Sequence, residues 1–162
     1  MKIQFLLLAL PLAAVACSAA DDIVDPKSPK VTAEKASLSK IDPKGIELLV
    51  ELAATNPNDI DLEARNVTAK VVLDGQYDMG TVEIPQEVDL PTDQEVRVSV
   101  PVVVDWKDAS VVLNLVALKR SIPYNIDGDV KIGVDLFKFT VPFHVNDVIT
   151  EEQIKEALPG VR

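Results

Sequence analysis

The chain has 162 residues, with 16 Lys or Arg against 26 Asp or Glu, for a net charge of −10. That balance excludes a nucleic-acid binder held by a basic surface and gives no attraction to anionic lipid. A hydrophobic fraction of 48% excludes an acidic disordered chain and is enough for the core of one domain.

The chain begins Met1-Lys2-Ile3-Gln4 and continues as an apolar run over 5–16, interrupted by Pro11 and ended by Cys17, the only cysteine. This run is shorter than the roughly 20 apolar residues that span a bilayer, so it reads as an export signal. Small residues at Ala14 and Ala16 suit a signal peptidase, and the run into Cys17 resembles a bacterial lipobox, although Ala14 stands where leucine is more usual. A single exported thiol has no disulfide partner. The expectation is removal of residues 1–16 and lipidation of Cys17. By resemblance to sorting in enteric bacteria, Ser18 rather than aspartate directs such a protein to the outer membrane, facing the periplasm. Residues 17–30 carry Asp21, Asp22, Asp25, Pro26 and Pro29 and read as a polar tether.

From Val31 the dominant signal is period two, the mark of half-buried strands. A weaker strand is expected around 32–41. Ile46, Leu48, Val50, Leu52 and Ala54 alternate with Glu47, Leu49, Glu51 and Ala53. Val67, Ala69, Val71 and Leu73 form a third strand, and 77–84 a weaker fourth. Val96, Val98, Val100, Val102 and Val104 form a fifth, Tyr124 to Val134 a sixth, and Phe137 to Val145 a seventh. Turn chemistry at Asp42-Pro43-Lys44-Gly45, Asn56-Pro57-Asn58-Asp59, Asp74-Gly75 and Leu90-Pro91-Thr92-Asp93 separates them. Pro101 and Pro142 lie inside strands, which places those strands at an edge or beside a bulge.

Between the fifth and sixth strands, 107–120 breaks the alternation. Its apolar run, which includes Val111, Leu115 and Leu118, fits a buried strand or a helix by periodicity alone. Asp105 or Asp108 as an N-cap and Lys119-Arg120 at the end favour a helix covering an open end of the fold. A short helix is expected at 150–158, where Thr150 and Gln153 have capping-box spacing and Gly160 follows. The fold class is therefore all-β: an antiparallel immunoglobulin/fibronectin III-like sandwich of about seven strands with one inserted helix. The sandwich would span 31–147, with a helical tail over 148–162.

No catalytic set emerges, and no metal or cofactor is expected. His144, the only histidine, falls on the outward phase of the last strand, with no nucleophile implied beside it. Asp127-Gly128-Asp129 lacks the acidic run of an EF-hand loop and reads as a turn or bulge. Asn66-Val67-Thr68 matches a glycosylation sequon of no consequence in a bacterial envelope. Trp106 reads as a core residue at the end of the sandwich. It is also a candidate partner contact, together with Val111, Leu115 and Leu118.

Asn56-Pro57-Asn58, leaving a hydrophobic strand, resembles the signature of the late embryogenesis abundant type 2 family. Its domain is also called the water stress and hypersensitive response (WHy) domain. Downstream landmarks agree in order: Gly80, Ile84-Pro85, the valine strand, the inserted helix, Ile122-Pro123-Tyr124 and Val141-Pro142-Phe143. The resemblance implies a seven-stranded sandwich with one helix, a link to desiccation or other stress, and no enzyme activity. The residues themselves give Asn56-Pro57-Asn58 a structural role. Pro57 cannot donate to a ladder and the Asn side chains satisfy nearby backbone, so Asn56→Ala should cost on the order of 1 kcal/mol. Two functions remain in contention. One is a lipid-anchored protector of envelope proteins or membranes. The other is a binding module that docks a protein of an outer-membrane assembly or transport system through sheet edges and the apolar helix.

Overall fold

The computed structural model describes residues 26–107, 111 and 121–157. Seven strands follow in order: β1 (Lys30–Ile41), β2 (Gly45–Thr55), β3 (Leu62–Leu73), β4 (Tyr77–Leu90), β5 (Glu95–Asp105), β6 (Ile122–Val134) and β7 (Phe137–Ile149). All pair antiparallel, in a three-stranded sheet ordered β1-β2-β5 and a four-stranded sheet ordered β4-β3-β6-β7. This is the expected sandwich, with both weaker strands longer than the sequence pattern implied.

The alternating valines, leucines and isoleucines meet between the sheets. Leu48, Val50, Val71, Val102 and Ile126 are fully buried there, with Leu73, Val100, Ile132 and Ile149 almost so. Full burial of each such side chain is worth about 1.5–3 kcal/mol, so several rows of this kind hold the fold without a disulfide. The outward positions are mostly polar, with Val103 and Val148 as apolar exceptions. On β4, for example, Asp78, Glu83, Glu87 and Asp89 face solvent.

The period-two reading misses one feature of β3. Leu62 and Ala64 are buried, and then the buried phase moves to Val67, Ala69, Val71 and Leu73. The register shifts between Ala64 and Asn66 in the ladders to both β4 and β6, and against β6 Arg65 is the inserted residue that makes the switch. One extra residue turns both halves of the strand inward. Residues 127–129 require a correction. They form neither turn nor bulge but lie within β6, in unbroken register with β7, where Gly128 opposes Phe143. A Cβ on Gly128 would strike the Phe143 ring and approach the Thr68 carbonyl oxygen to 2.6 Å. Glycine at this point makes room for an aromatic ring rather than for a change of chain direction.

Apart from Pro123, the second residue of β6, the strand prolines lie on edge strands. Pro85 lies on β4, Pro101 on β5 and Pro142 on β7, and each of these strands borders its sheet. The fourth edge, β1, has no internal proline but two register shifts, at Ala33/Lys35 and Leu38/Lys40.

After β7, α1 (Glu151–Ala157) packs against β1 and buries Ile154. Its N-terminus is the expected capping box. The Thr150 N–H donates to Gln153 Oε1 at 2.8 Å, and the Gln153 N–H donates to Thr150 Oγ1 at 3.3 Å. Within the second expected helix, over 107–120, Val111 is helical and buried. Leu115 and Leu118 lie outside the described residues, as do Cys17 and the leader.

Candidate functional site

The two halves of the sequence motif sit at opposite ends of the sandwich. Thr55, at the end of β2, pairs with Lys30 at the start of β1, so Asn56-Pro57-Asn58 lies where the chain enters the domain. Ile122, Pro123 and Tyr124 open β6 at the other end. There Tyr124 pairs with Leu73, and the Pro123 carbonyl accepts a hydrogen bond from the Asp74 N–H at 2.7 Å.

At the entry end, Asn56 is fully buried and Asn58 nearly so, the only buried polar residues among those described. Buried amides are tolerated when every donor and acceptor is used. Asn56 Nδ2 donates to the carbonyls of Ile60, at 2.8 Å, and Leu90, at 2.9 Å. Its Oδ1 accepts from the Asn58 N–H at 3.1 Å and from Asn58 Nδ2 at 3.0 Å. The Asn56 backbone carbonyl accepts from the Asp93 N–H at 3.0 Å. Asn58 then reaches the incoming chain: its Nδ2 donates to the Lys27 carbonyl at 2.8 Å, and its Oδ1 accepts from the Lys27 N–H at 2.7 Å. The pair thus joins the end of β2, the 56–61 loop, the end of β4 and the entering segment. Pro57 between them adds no donor to be satisfied.

Leu90 and Lys27 are the partners that sequence reasoning missed. They lie 34 and 31 residues from the asparagines they bind, and no local pattern announces them. Lys27 stands inside the stretch read as tether, yet its backbone is already held. Asp61 adds a smaller tie, accepting from the Thr92 N–H at 3.0 Å and from the Thr92 hydroxyl at 3.2 Å.

Trp106 is at the far end, half-buried against the core. Its indole Nε1–H donates to the Asp42 carbonyl and its backbone N–H to the Lys44 carbonyl, both at 2.8 Å. It therefore fastens the turn between β1 and β2 to the end of β5. That turn is built on Asp42. Its carboxylate accepts from the N–H groups of Lys44, at 2.8 Å, and Gly45, at 3.0 Å, and pairs with Lys40 Nζ at 2.9 Å. The Lys40 hydrogen bond, then those two backbone bonds, hold the Asp42 carboxyl down at about 2, against an ordinary value of 3.8. A carboxyl lowered by folding stabilises the fold fully above its unfolded value and loses that contribution as pH falls through the folded one. Wild type should therefore lose stability relative to Asp42→Asn as pH falls from 3.8 towards about 2, with a constant difference above that window. Urea unfolding at stepped pH measures this, and parallel curves through the window would refute it.

Tyr124, at the same end, is buried, and its hydroxyl has no hydrogen-bond partner among the described residues. Burial, with a smaller contribution from the charge of Asp147, pushes the phenol up to about 12.

The titratable groups elsewhere assemble no reaction centre. His144 is exposed, with Nδ1 against Asp127 Oδ1 and Nε2 2.6 Å from Asn146 Nδ2. Both ring nitrogens are engaged, so the ring belongs to a polar ladder across β6 and β7. An open groove of about 640 Å³ beside it runs between β1 and β7, lined by Val31, Ala33, Asp129 and Pro142 among others. Among the described residues, no group of three His, Cys, Asp or Glu side chains is placed to hold a metal ion.

The sequence profile described as late embryogenesis abundant protein, LEA_2, matches residues 51–147. The fold is similar to that of a protein from Arabidopsis thaliana known from a solution structure. The TM-score is 0.63 at 19% identity, covering 82% of this chain and 88% of that one. A solution structure of a candidate late embryogenesis abundant (LEA) protein gives a TM-score of 0.61 at 16% identity, covering 81% of this chain and 75% of that one. A crystal structure of a protein from Archaeoglobus fulgidus gives 0.55 at 10% identity, covering 75% and 94%. No curated protein matches the sequence.

Proposed function

Because the chain belongs to the late embryogenesis abundant protein family, we propose that it is a lipid-anchored stress protein of the bacterial envelope, protecting membranes or proteins without catalysis during drying or related stress. The family match, which runs from β2 into β7, is the observation that carries this reading. The WHy-like character and the anchor at Cys17 rest on the sequence landmarks and the leader.

The architecture suits protection by surface rather than by chemistry. Most hydrophobic side chains are turned inward in register, and most outward positions present carboxylates, amides and lysines that hold water. A net charge of −10 keeps such molecules and their neighbours apart.

Membrane fractionation of wild type and Cys17→Ser, paired with survival of drying, freezing and osmotic shock, tests both parts. Wild type should sediment with membranes and the variant should not, and a deletion strain should lose viability. Normal survival of the deletion strain would count against protection. In-cell crosslinking to one stoichiometric partner would favour the docking-module alternative, whereas many weak contacts fit protection.

A further inference from the structure

We infer that the entry end of the sandwich, led by Leu136, rests on the membrane and inserts its apolar tip into a zwitterionic bilayer. This rests on the proposed anchor at Cys17. Four observations lead to it.

The first is where the described chain ends. Asn58 fixes Lys27 at this end through two hydrogen bonds, so a tether from Cys17 emerges here. The second is position. Glu63 pairs with Gly133, so the 56–61 loop and the Asp135-Leu136 turn project beyond the same end, and Arg65 Nη1 reaches Asp135 Oδ1 at 3.9 Å. The third is exposure. Leu136 is 90% exposed, the most exposed large hydrophobic residue described, and Ile60 is 44% exposed. A leucine at the tip of a turn, between Asp135 and Phe137, does nothing for the core. Phe137 and Phe139, edge to face at 5.8 Å between centroids, stiffen the strand beneath it.

The fourth is reach. The stretch from Cys17 to Lys27 extends at most about 35 Å, whereas strands of this length span roughly 40 Å. The tether therefore holds the entry end close to a membrane that carries Cys17, whereas the end bearing Trp106 meets that membrane only if the domain lies over on its side. Charge selects the lipid. Asp59, Asp61, Asp93 and Asp135 surround the tip and disfavour an anionic surface, while Lys27, Lys30 and Lys138 can meet headgroup phosphates. One or two aliphatic side chains bind a bilayer weakly by themselves, but tethering makes the contact intramolecular.

The full lipidated chain, reconstituted in phosphatidylcholine vesicles with and without brominated acyl chains, provides the test. Wild type contains only Trp106 as a tryptophan, at the far end, and its emission should be equal in both vesicles. Leu136→Trp adds a second emitter, whose signal should shift to the blue and fall at least about twofold in brominated lipid, as expected for a group at the acyl boundary. Flotation with the vesicles is measured in parallel. If the chain floats but the added tryptophan is not quenched, the docking is wrong and the anchor stands. Quenching of Trp106 as well would mean that the domain lies on its side, which also overturns the inference. If wild type does not float while carrying its own lipid, the anchor reading fails and this inference fails with it.

Discussion

Asn56→Ala should destabilise the protein by about 3–4 kcal/mol, several times the cost that the sequence motif alone suggests. The side chain is fully buried and makes four hydrogen bonds. Its loss strands the carbonyls of Ile60 and Leu90 and the amide of Asn58 around a buried position. Each unsatisfied buried group costs about 1–3 kcal/mol, and some relaxation brings the sum down. For a domain of this size the melting temperature should fall by roughly 10–15 °C. Asn56→Asp keeps the shape and should be at least as damaging at neutral pH, because it turns a carboxylate towards two carbonyl oxygens. Urea and thermal unfolding measure both. A loss below about 1 kcal/mol for the alanine variant would mean that the network is replaced by water and does not hold the entry end together. Asn58→Ala should be milder and should raise hydrogen exchange at Lys27, whose N–H it releases.

The second large effect lies in the four-stranded sheet. Gly128→Ala places a methyl group against the Phe143 ring and the Thr68 carbonyl oxygen, and overpacking of this kind costs about 1–3 kcal/mol. Phe143→Ala, at a residue only 6% exposed, should cost about 3–5 kcal/mol as a cavity. The two changes are coupled. Truncating the ring removes most of the collision, so the double variant should be at least about 1 kcal/mol more stable than the sum of the single losses. Additive losses would show that Gly128 is needed for its backbone and not to admit the ring.

Both predictions mark where the sequence was legible and where it was not. Rows such as 46, 48, 50, 52 and 54 could be read directly, because a strand with one face in a core must repeat every two residues. The capping box at Thr150 and Gln153 was equally plain, since its partners are three residues apart. The change of phase in β3 was not, because a bulge at Arg65 looks in sequence like two unrelated short alternations. The role of Gly128 depends on Phe143 in the neighbouring strand, and without that ring an Asp-Gly-Asp triplet resembles a turn. Asn56-Pro57-Asn58 was visible as a motif. Its energetic weight was not, because Leu90 and Lys27 come from distant parts of the chain. Leu136 left a trace in the sequence: an aliphatic residue beside Asp135, where turn chemistry favours polar residues.

The prolines on β4, β5 and β7 and the irregular register of β1 have a consequence for the chain as a population. An open sandwich has four borders where another molecule could add a strand, and drying drives proteins together at rising concentration. A regular, uninterrupted border would then template polymerisation. Here each border is broken: at Pro85, Pro101 and Pro142 on three of them, and by two shifts of register on the fourth. If the protein acts as proposed while its solvent disappears, these borders protect it first against copies of itself.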